Sequence, residues 1–171
     1  MPHRYATVAV ITLLALMIGL GQESSLPPSG HTAIMSSPFP SLDPAVERAI
    51  GIPLRVPKIL PQTGQAQLFP VVLEADSERY EIALAMALPC NGEHRCTYGT
   101  VQGSIHPIES WGKSTRVDLE DGIVGHFTPM ECGAYCSEAY IMWRQGAYLY
   151  SIGIKAGSKK ELLEAARSAI H

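Results

Sequence analysis

Charge is scarce in this chain. Lys, Arg, Asp and Glu make up 17% of the 171 residues, and the 13 basic side chains are outnumbered by 16 acidic ones. A protein that neutralises phosphates needs a basic excess or a basic stripe, so the composition argues against a nucleic-acid partner. No run of like charges marks an electrostatic tail. No glycine loop with a phosphate fingerprint leads into a helix, which leaves nucleotide binding without support. Paired C-x2-C knuckles are missing too. The four cysteines stand as C-x5-C (Cys90, Cys96) and C-x3-C (Cys132, Cys136), spacings that suit neither a four-thiolate zinc site nor a thioredoxin-like redox motif.

Reaction centres are equally sparse. The histidines His94, His106, His126 and His171 never stand at metal-ligand spacing, so no metal or other cofactor is expected. The nearest approach to a nucleophile elbow is Gly103-Ser104 beside His106, which lacks the second glycine. The carboxylate pairs Glu74 with Asp76 and Glu120 with Asp121 fall in turn sequences, where they read as exposed charge. The chain therefore reads as non-enzymatic. The competing reading is an envelope hydrolase whose site is assembled in space around Ser104, His106 and His126.

Residues 1–21 read as a signal peptide. His3 and Arg4 form a short basic start, Tyr5 to Leu20 is uncharged, and Gly19 and Gly21 occupy the −3 and −1 positions of a cut before Gln22. If the segment is not cut, it is the one part of the chain expected to meet a membrane. Residues 22–41, rich in Ser and Pro, are expected to be a disordered linker. A single domain over residues 42–171 follows, and a length of this order suits one hydrophobic core.

Within that domain, Asp43-Pro44 is a helix-start signal, and Gly51 ends the short helix it would open. Pro53, Pro57 and Pro61 forbid helix and central strand, so Gly51 to Pro61 should run extended, pinned by Ile52, Leu54, Val56, Ile59 and Leu60. Strands are expected at Leu68 to Glu74 and at Tyr80 to Leu88. The second has a Tyr80, Ile82, Leu84, Met86, Leu88 face and an alanine-rich face that a helix could cover. Thr97 to Ile105, loosened by Gly99 and Gly103, fits a bulged strand. Thr115 to Leu119, the Asp121-Gly122 turn and Ile123 to Thr128 form a hairpin, with Gly125 leaving room for a close neighbour.

The organising element is a second hairpin, Ala139 to Arg144 and Ala147 to Lys155, reversed at Gln145-Gly146. Both of its faces carry apolar bulk, which predicts a central strand pair covered on both sides. Ser158 and Glu161 form a capping box for a helix from Lys159 to Ile170, whose apolar stripe is the candidate cover for the sheet. Four cysteines in an exported domain predict two disulfides, and the close spacings favour the local pairs Cys90 with Cys96 and Cys132 with Cys136. The aromatic set Tyr140, Trp143, Tyr148 and Tyr150 reads first as core packing; its other reading, together with the loop residue Trp111, is a ligand-binding surface.

The run Val117-Asp118-Leu119, Gly122, Phe127, Trp143-Arg144-Gln145-Gly146, Tyr148, Tyr150 and the Ser158 to Ala166 helix resembles the C-terminal part of exported bacterial domains found in sporulation-linked and anti-sigma-associated proteins. It is also similar to the half-barrel of lipoprotein carriers and periplasmic stress sensors. The two cysteine pairs resemble those of exported cyanobacterial-type domains. The likeness covers roughly Gly51 to the C-terminus, implies a secreted or periplasmic location, and carries over no catalytic residue. The expected fold is α+β: a curved antiparallel sheet of about six or seven strands, covered by the C-terminal helix and stapled by two local disulfides. The expected function is a non-catalytic envelope domain that binds an apolar small molecule or a protein partner. A purely structural partner-docking domain with a filled core is a further alternative.

Overall fold

A computed structural model describes residues 34–36, 39, 48, 50–61, 67–106 and 111–171. The chain divides into Met1–His31 and Thr32–His171; the expected signal peptide and most of the expected short helix lie outside the described residues. Of that helix, Arg48 is helical and Ile50 is buried. The expected linker contributes a strand, β1 (Ile34–Ser36), and the buried Phe39, so folded structure begins before residue 42. Among the described residues no helix is long and apolar enough to cross a membrane.

In chain order β1 is followed by β2 (Ile59–Pro61), β3 (Phe69–Ala75), β4 (Arg79–Ala85), β5 (Thr97–Ser104), β6 (Thr115–Asp118), β7 (Val124–Thr128), β8 (Ala139–Gln145), β9 (Tyr148–Ile154) and the helix α1 (Lys159–Ile170). β1 pairs with β2, and the other seven strands form one open antiparallel sheet in the order β3-β4-β5-β9-β8-β7-β6. Two meanders, β3 to β5 and β6 to β9, therefore lie side by side and meet at β5 and β9.

Local chemistry accounts for the turns. Asp121 and Gly122 both have positive φ, 55° and 73°, the type I′ pattern that joins β6 to β7 with the twist of the strands. Gly125 lies opposite Val117, and a Cβ there would stand 3.1 Å from Leu119 Cδ1, so the expected close neighbour is the Leu119 side chain. Gly146 takes φ 63° between Gln145 and Tyr148, closing the β8–β9 hairpin. At β3–β4 the Asp76 carboxylate accepts from the backbone N–H groups of Glu78 (2.7 Å) and Arg79 (2.9 Å). Those bonds hold its pKa below the usual aspartate value.

Register sorts the side chains into two faces. Ile82, Val101, Ile152, Ile141 and Phe127 are successive partners in one row, and Tyr80, Gly103, Tyr150, Trp143 and Gly125 in the next. These rows are the core. α1 packs against β2, β8 and β9 and buries Leu162, Ala165, Ala166, Ala169 and Ile170. Its start is the expected capping box, with Glu161 N–H donating to Ser158 Oγ (3.3 Å) and Ser158 N–H to Glu161 Oε2 (2.8 Å).

The proline-rich strap 51–61 completes the helix layer. Ile52, Pro57 and Leu60 are buried, and Leu54 and Val56 pack against the core. Sheet tyrosines tie it down: Tyr150 Oη donates to the Pro53 carbonyl (3.1 Å) and Tyr98 Oη to that of Pro61 (3.4 Å). Tyr80 Oη accepts from Arg55 N–H (3.0 Å) and donates to the Arg55 carbonyl (3.3 Å). At the other side of the strap Ser168 Oγ accepts from the N–H groups of Lys58 (3.0 Å) and Ile59 (3.1 Å).

Three expectations are corrected. β4 ends at Ala85 rather than Leu88, leaving Met86 and Leu88 exposed, because the chain turns away there into the Cys90 loop. α1 covers the Tyr80, Ile82, Leu84 face of the sheet and not the alanine face of β4, because the large apolar side chains of five strands align on the former. The central pair β8–β9 is covered on one side only: among the described residues no element lies over Tyr140, Met142 and Ser151, which are half-buried by their neighbours in the sheet.

Candidate functional site

The space between α1 and the sheet is filled; the helix side's pocket, about 420 Å³, lies outside that core, between α1 and the strap, lined by Lys58, Ile59, Glu120, Glu164, Arg167, Ser168 and His171. Trp143 is 0% exposed and stacks on Tyr150 with ring centroids 5.6 Å apart. Tyr148 is half-buried against the same cluster, 6.4 Å from Tyr150. Three of the five expected ligand-binding residues, Trp143, Tyr148 and Tyr150, are thus core or core-flanking. They share one face because residues two apart in β9 point the same way and the register sets Trp143 against Tyr150. The concave apolar face expected under the helix is filled.

Tyr140 and Trp111 belong to the other, open face. Tyr140 lies next to Gly153, which lies next to Thr100. One row further, Arg116, His126, Met142, Ser151, Gln102 and Glu81 are successive partners across five strand junctions. Trp111 stacks flat on the His126 ring, centroids 3.9 Å apart and planes within 10°, while Ser114 Oγ lies 3.2 Å from His126 Nδ1. Burial first, and then the Arg116 charge, lower the His126 pKa, so the ring is neutral at pH 7.

Ser104 and His106 line one pocket with Glu74 and Glu81, but His126 stands apart from them. β5 and β7 are separated by β9 and β8, which places Ser104 and His126 on the order of 14 Å apart at ordinary strand spacing. Ser104 Oγ accepts from the His106 backbone N–H (2.9 Å), and the exposed His106 ring faces Glu78 at 3.3 Å. The geometry required for Ser104 to act as a nucleophile toward either imidazole is not assembled.

A pocket of about 250 Å³ does open in the uncovered face, lined by Thr100, Gln102, Glu138, Tyr140, Met142, Ser151 and Gly153. Its construction can be followed residue by residue. Cys132 and Cys136 are bonded, Ser137 N–H donates to the Glu131 carbonyl (2.8 Å), and Ser137 Oγ accepts from Glu131 N–H (3.0 Å). This closed loop delivers Glu138 directly before Ala139, the first residue of β8. Alternation turns Glu138 to the open face. There its carboxylate lies over Gly153, where a Cβ would collide with Glu138 Oε2 and stand 3.1 Å from Thr100 Oγ1.

Thr100 Oγ1 donates to Glu138 Oε2 at 2.9 Å. Burial raises the Glu138 pKa; the Thr100 bond and the charge of Lys155 oppose the rise and Glu81 adds to it. Among the described residues Glu138 has no ion pair. Lys155 donates its Nζ to the His94 carbonyl, and the His94 ring contacts the Cys136 carbonyl at 3.2 Å, so the two disulfide loops are tied to each other beside the pocket. Burial also lowers the Lys155 pKa.

Glu138 escaped the sequence reading because a single carboxylate in a loop belongs to no motif. Its one local signal is its place two residues after a cysteine and immediately before the aromatic hairpin. The four cysteines are fully used, Cys90 with Cys96 and Cys132 with Cys136, as the spacing predicted. Their thiolates are therefore not available to hold zinc. Paired cysteines fit an oxidising, extracytoplasmic compartment.

No protein-family model, curated protein or solved structure matches the chain.

Proposed function

We propose that this protein is a non-catalytic binding module of an extracytoplasmic compartment, secreted or periplasmic, that docks a protein partner on the open face of its seven-stranded sheet. The observation that carries the reading is the asymmetry of that sheet. One face is sealed by α1 and the tyrosine-tied strap; the other presents Tyr140, Met142, Leu149 and the Trp111–His126 stack half-buried, with no element over them among the described residues. Aromatic and Met side chains amid a polar surround are the composition of interface centres. Carriage of an apolar small molecule, the other half of the expectation, has less support because the concave space between helix and sheet is filled by Trp143 and Tyr150. An envelope setting of the kind the sequence resemblance implies is part of the proposal.

Edge-to-edge pairing is a poorer route for the partner. β3 carries Pro70 and a register shift between Val72 and Glu74, and β6 is four residues long with Arg116 and Asp118 exposed. Both are devices that discourage strand addition.

The test is photo-crosslinking in the compartment to which the protein is exported. A benzophenone side chain is placed at Met142 or Arg116 on the open face, or at Lys160 on the outer surface of α1. Adducts from the two open-face positions that excess unlabelled protein competes away, with none from position 160, are expected. Equal labelling from all three positions, or none from positions 142 and 116, would falsify the reading.

A further inference from the structure

We propose that the pocket over Gly153 receives one lysine side chain of the docking partner and holds its ammonium on the Glu138 carboxylate. This rests on the reading that a protein covers the open face. Size is the first argument. At about 250 Å³ the pocket is smaller than the roughly 300–1,000 Å³ typical of sites for whole small molecules, and it suits a single inserted side chain.

Charge is the second. Glu138 is drawn away from water, its hydrogen bond to a side chain comes from the neutral Thr100, and among the described residues no cation pairs with it. The charged groups that face it are Lys155, Glu81 and His94. Of these Lys155 spends its ammonium on the His94 carbonyl, and Glu81 adds a second negative charge. A half-buried carboxylate whose cationic neighbour Lys155 acts only at a distance is unfavourable, and an incoming cation in direct contact lowers that cost.

Donor and acceptor geometry is the third. An ammonium has three N–H donors and no acceptor. The lining offers it the carboxylate, the Gln102 amide oxygen and the Ser151 and Thr100 hydroxyl oxygens, while Tyr140 and Met142 provide apolar walls for a four-carbon stem. Arginine fits less well: its planar fork wants both carboxylate oxygens in one plane, and the Thr100 bond already takes one of the two lone-pair directions of Oε2, whereas a compact ammonium can approach from any side.

The probe is n-butylammonium, titrated into the oxidised exported protein and followed by amide NMR, with n-butanol and n-butylguanidinium as comparators. Saturable shifts at Tyr140, Ser151 and Gly153 are expected, with affinity weaker by at least about tenfold for n-butanol and in Glu138→Gln. The Glu138 carboxyl carbon should titrate at lower pH when the probe is saturating, since a bound cation favours the ionised form. Equal binding of n-butanol, unchanged affinity in Glu138→Gln, or no saturable shift overturns the proposal.

Crosslinking from position 116, on the open face but outside the pocket lining, in the Glu138→Gln background separates the two levels of the argument. Adducts that survive while the ammonium titration fails leave open-face docking standing and remove the lysine. Ammonium binding with adducts that neither the substitution nor n-butylammonium weakens assigns the pocket to a free amine and overturns the partner lysine. Loss of position-specific adducts from the unsubstituted protein removes both.

Discussion

The strap is held to the sheet by three tyrosine hydroxyls, and the structure ranks what each is worth. Tyr80 is 1% exposed and makes two bonds to Arg55, accepting at 3.0 Å and donating at 3.3 Å. Tyr80→Phe removes both and strands the Arg55 N–H. With about 0.5–1.5 kcal/mol per bond and about 1–3 kcal/mol for a stranded buried donor, a cost of about 2–3 kcal/mol is expected. Tyr150→Phe removes the 3.1 Å bond to the exposed Pro53 carbonyl, an acceptor that water can reach, together with the interaction of the hydroxyl with the Arg55 side chain, and should cost about 1 kcal/mol. Tyr98→Phe loses a longer contact of 3.4 Å but leaves the buried Pro61 carbonyl without that donor, and should cost about 1 kcal/mol.

Urea unfolding followed by far-ultraviolet circular dichroism measures all three, with a shared m-value checked first. The double variant adds a further constraint. Tyr80 and Tyr150 flank Gly103 in one row and hold neighbouring parts of one strap. Once Tyr80 has let go, the Pro53 bond secures less, so the double variant should cost less than the two singles added together. Equal costs for the three single variants, or a Tyr98 variant more damaging than the Tyr80 one, would refute the assignment of the strap to these hydroxyls.

Trp143→Ala should destabilise by about 3–5 kcal/mol, because the whole indole is in the core; a loss below about 1 kcal/mol in the same unfolding assay contradicts that placement. Trp143→Phe should cost much less than the alanine change, since it keeps most of the bulk and removes an indole Nε1 that has no hydrogen-bond partner. Burial raises the Glu138 pKa, so its contribution to stability is present below the ordinary glutamate range and lost as pH rises through the raised value. Glu138→Gln should therefore raise Tm at pH 7 and leave it unchanged near roughly pH 3; a lower Tm at pH 7 would count against an uncompensated carboxylate. Burial pushes Tyr98 up to about 12 and raises Tyr80 as well. The contribution of these two hydroxyls to stability should hold constant up to roughly pH 10 and fall above it, with Tyr98→Phe softening the decline.

Much of the scaffold was legible in the sequence because it is specified locally. Asp121-Gly122 needs only its own two backbone conformations to define a turn, Ser158 and Glu161 exchange bonds within one helical turn, and cysteines four and six residues apart meet without help from distant chain. What was not legible depends on partners far away in sequence. Whether α1 lies on the alanine or the tyrosine face of β4 is decided by the register of β5, β9 and β8, which aligns Ile82 with Val101, Ile152 and Ile141. The choice between core packing and ligand contact for Trp143 and Tyr148 stayed open for the same reason: alternation says which residues share a face, not which face is covered. Glu138 is the extreme case, since its character comes from Thr100, 38 residues earlier, and from the missing side chain of Gly153.

The prolines and the pocket are linked by one physical requirement. A strap with Pro53, Pro57 and Pro61 lacks three N–H groups but keeps every carbonyl, so an element that buries it must supply donors as well as acceptors. A sheet's own backbone donors point along its plane to neighbouring strands, which leaves side-chain hydroxyls as the donors that can rise from its face. Tyr80, Tyr98 and Tyr150 meet that need while their rings fill the core, and Gly103 is bare because a Cβ there would overlap the Tyr80 ring. The helix face is thereby committed, in volume and in hydrogen bonds, to holding its own cover. Gly153 is bare on the opposite face for a different reason: its missing side chain leaves space for the Glu138 carboxylate rather than for a structural ring. Two glycines on adjacent central strands thus mark opposite uses of the same device, closure on the helix side and an open polar pocket on the other.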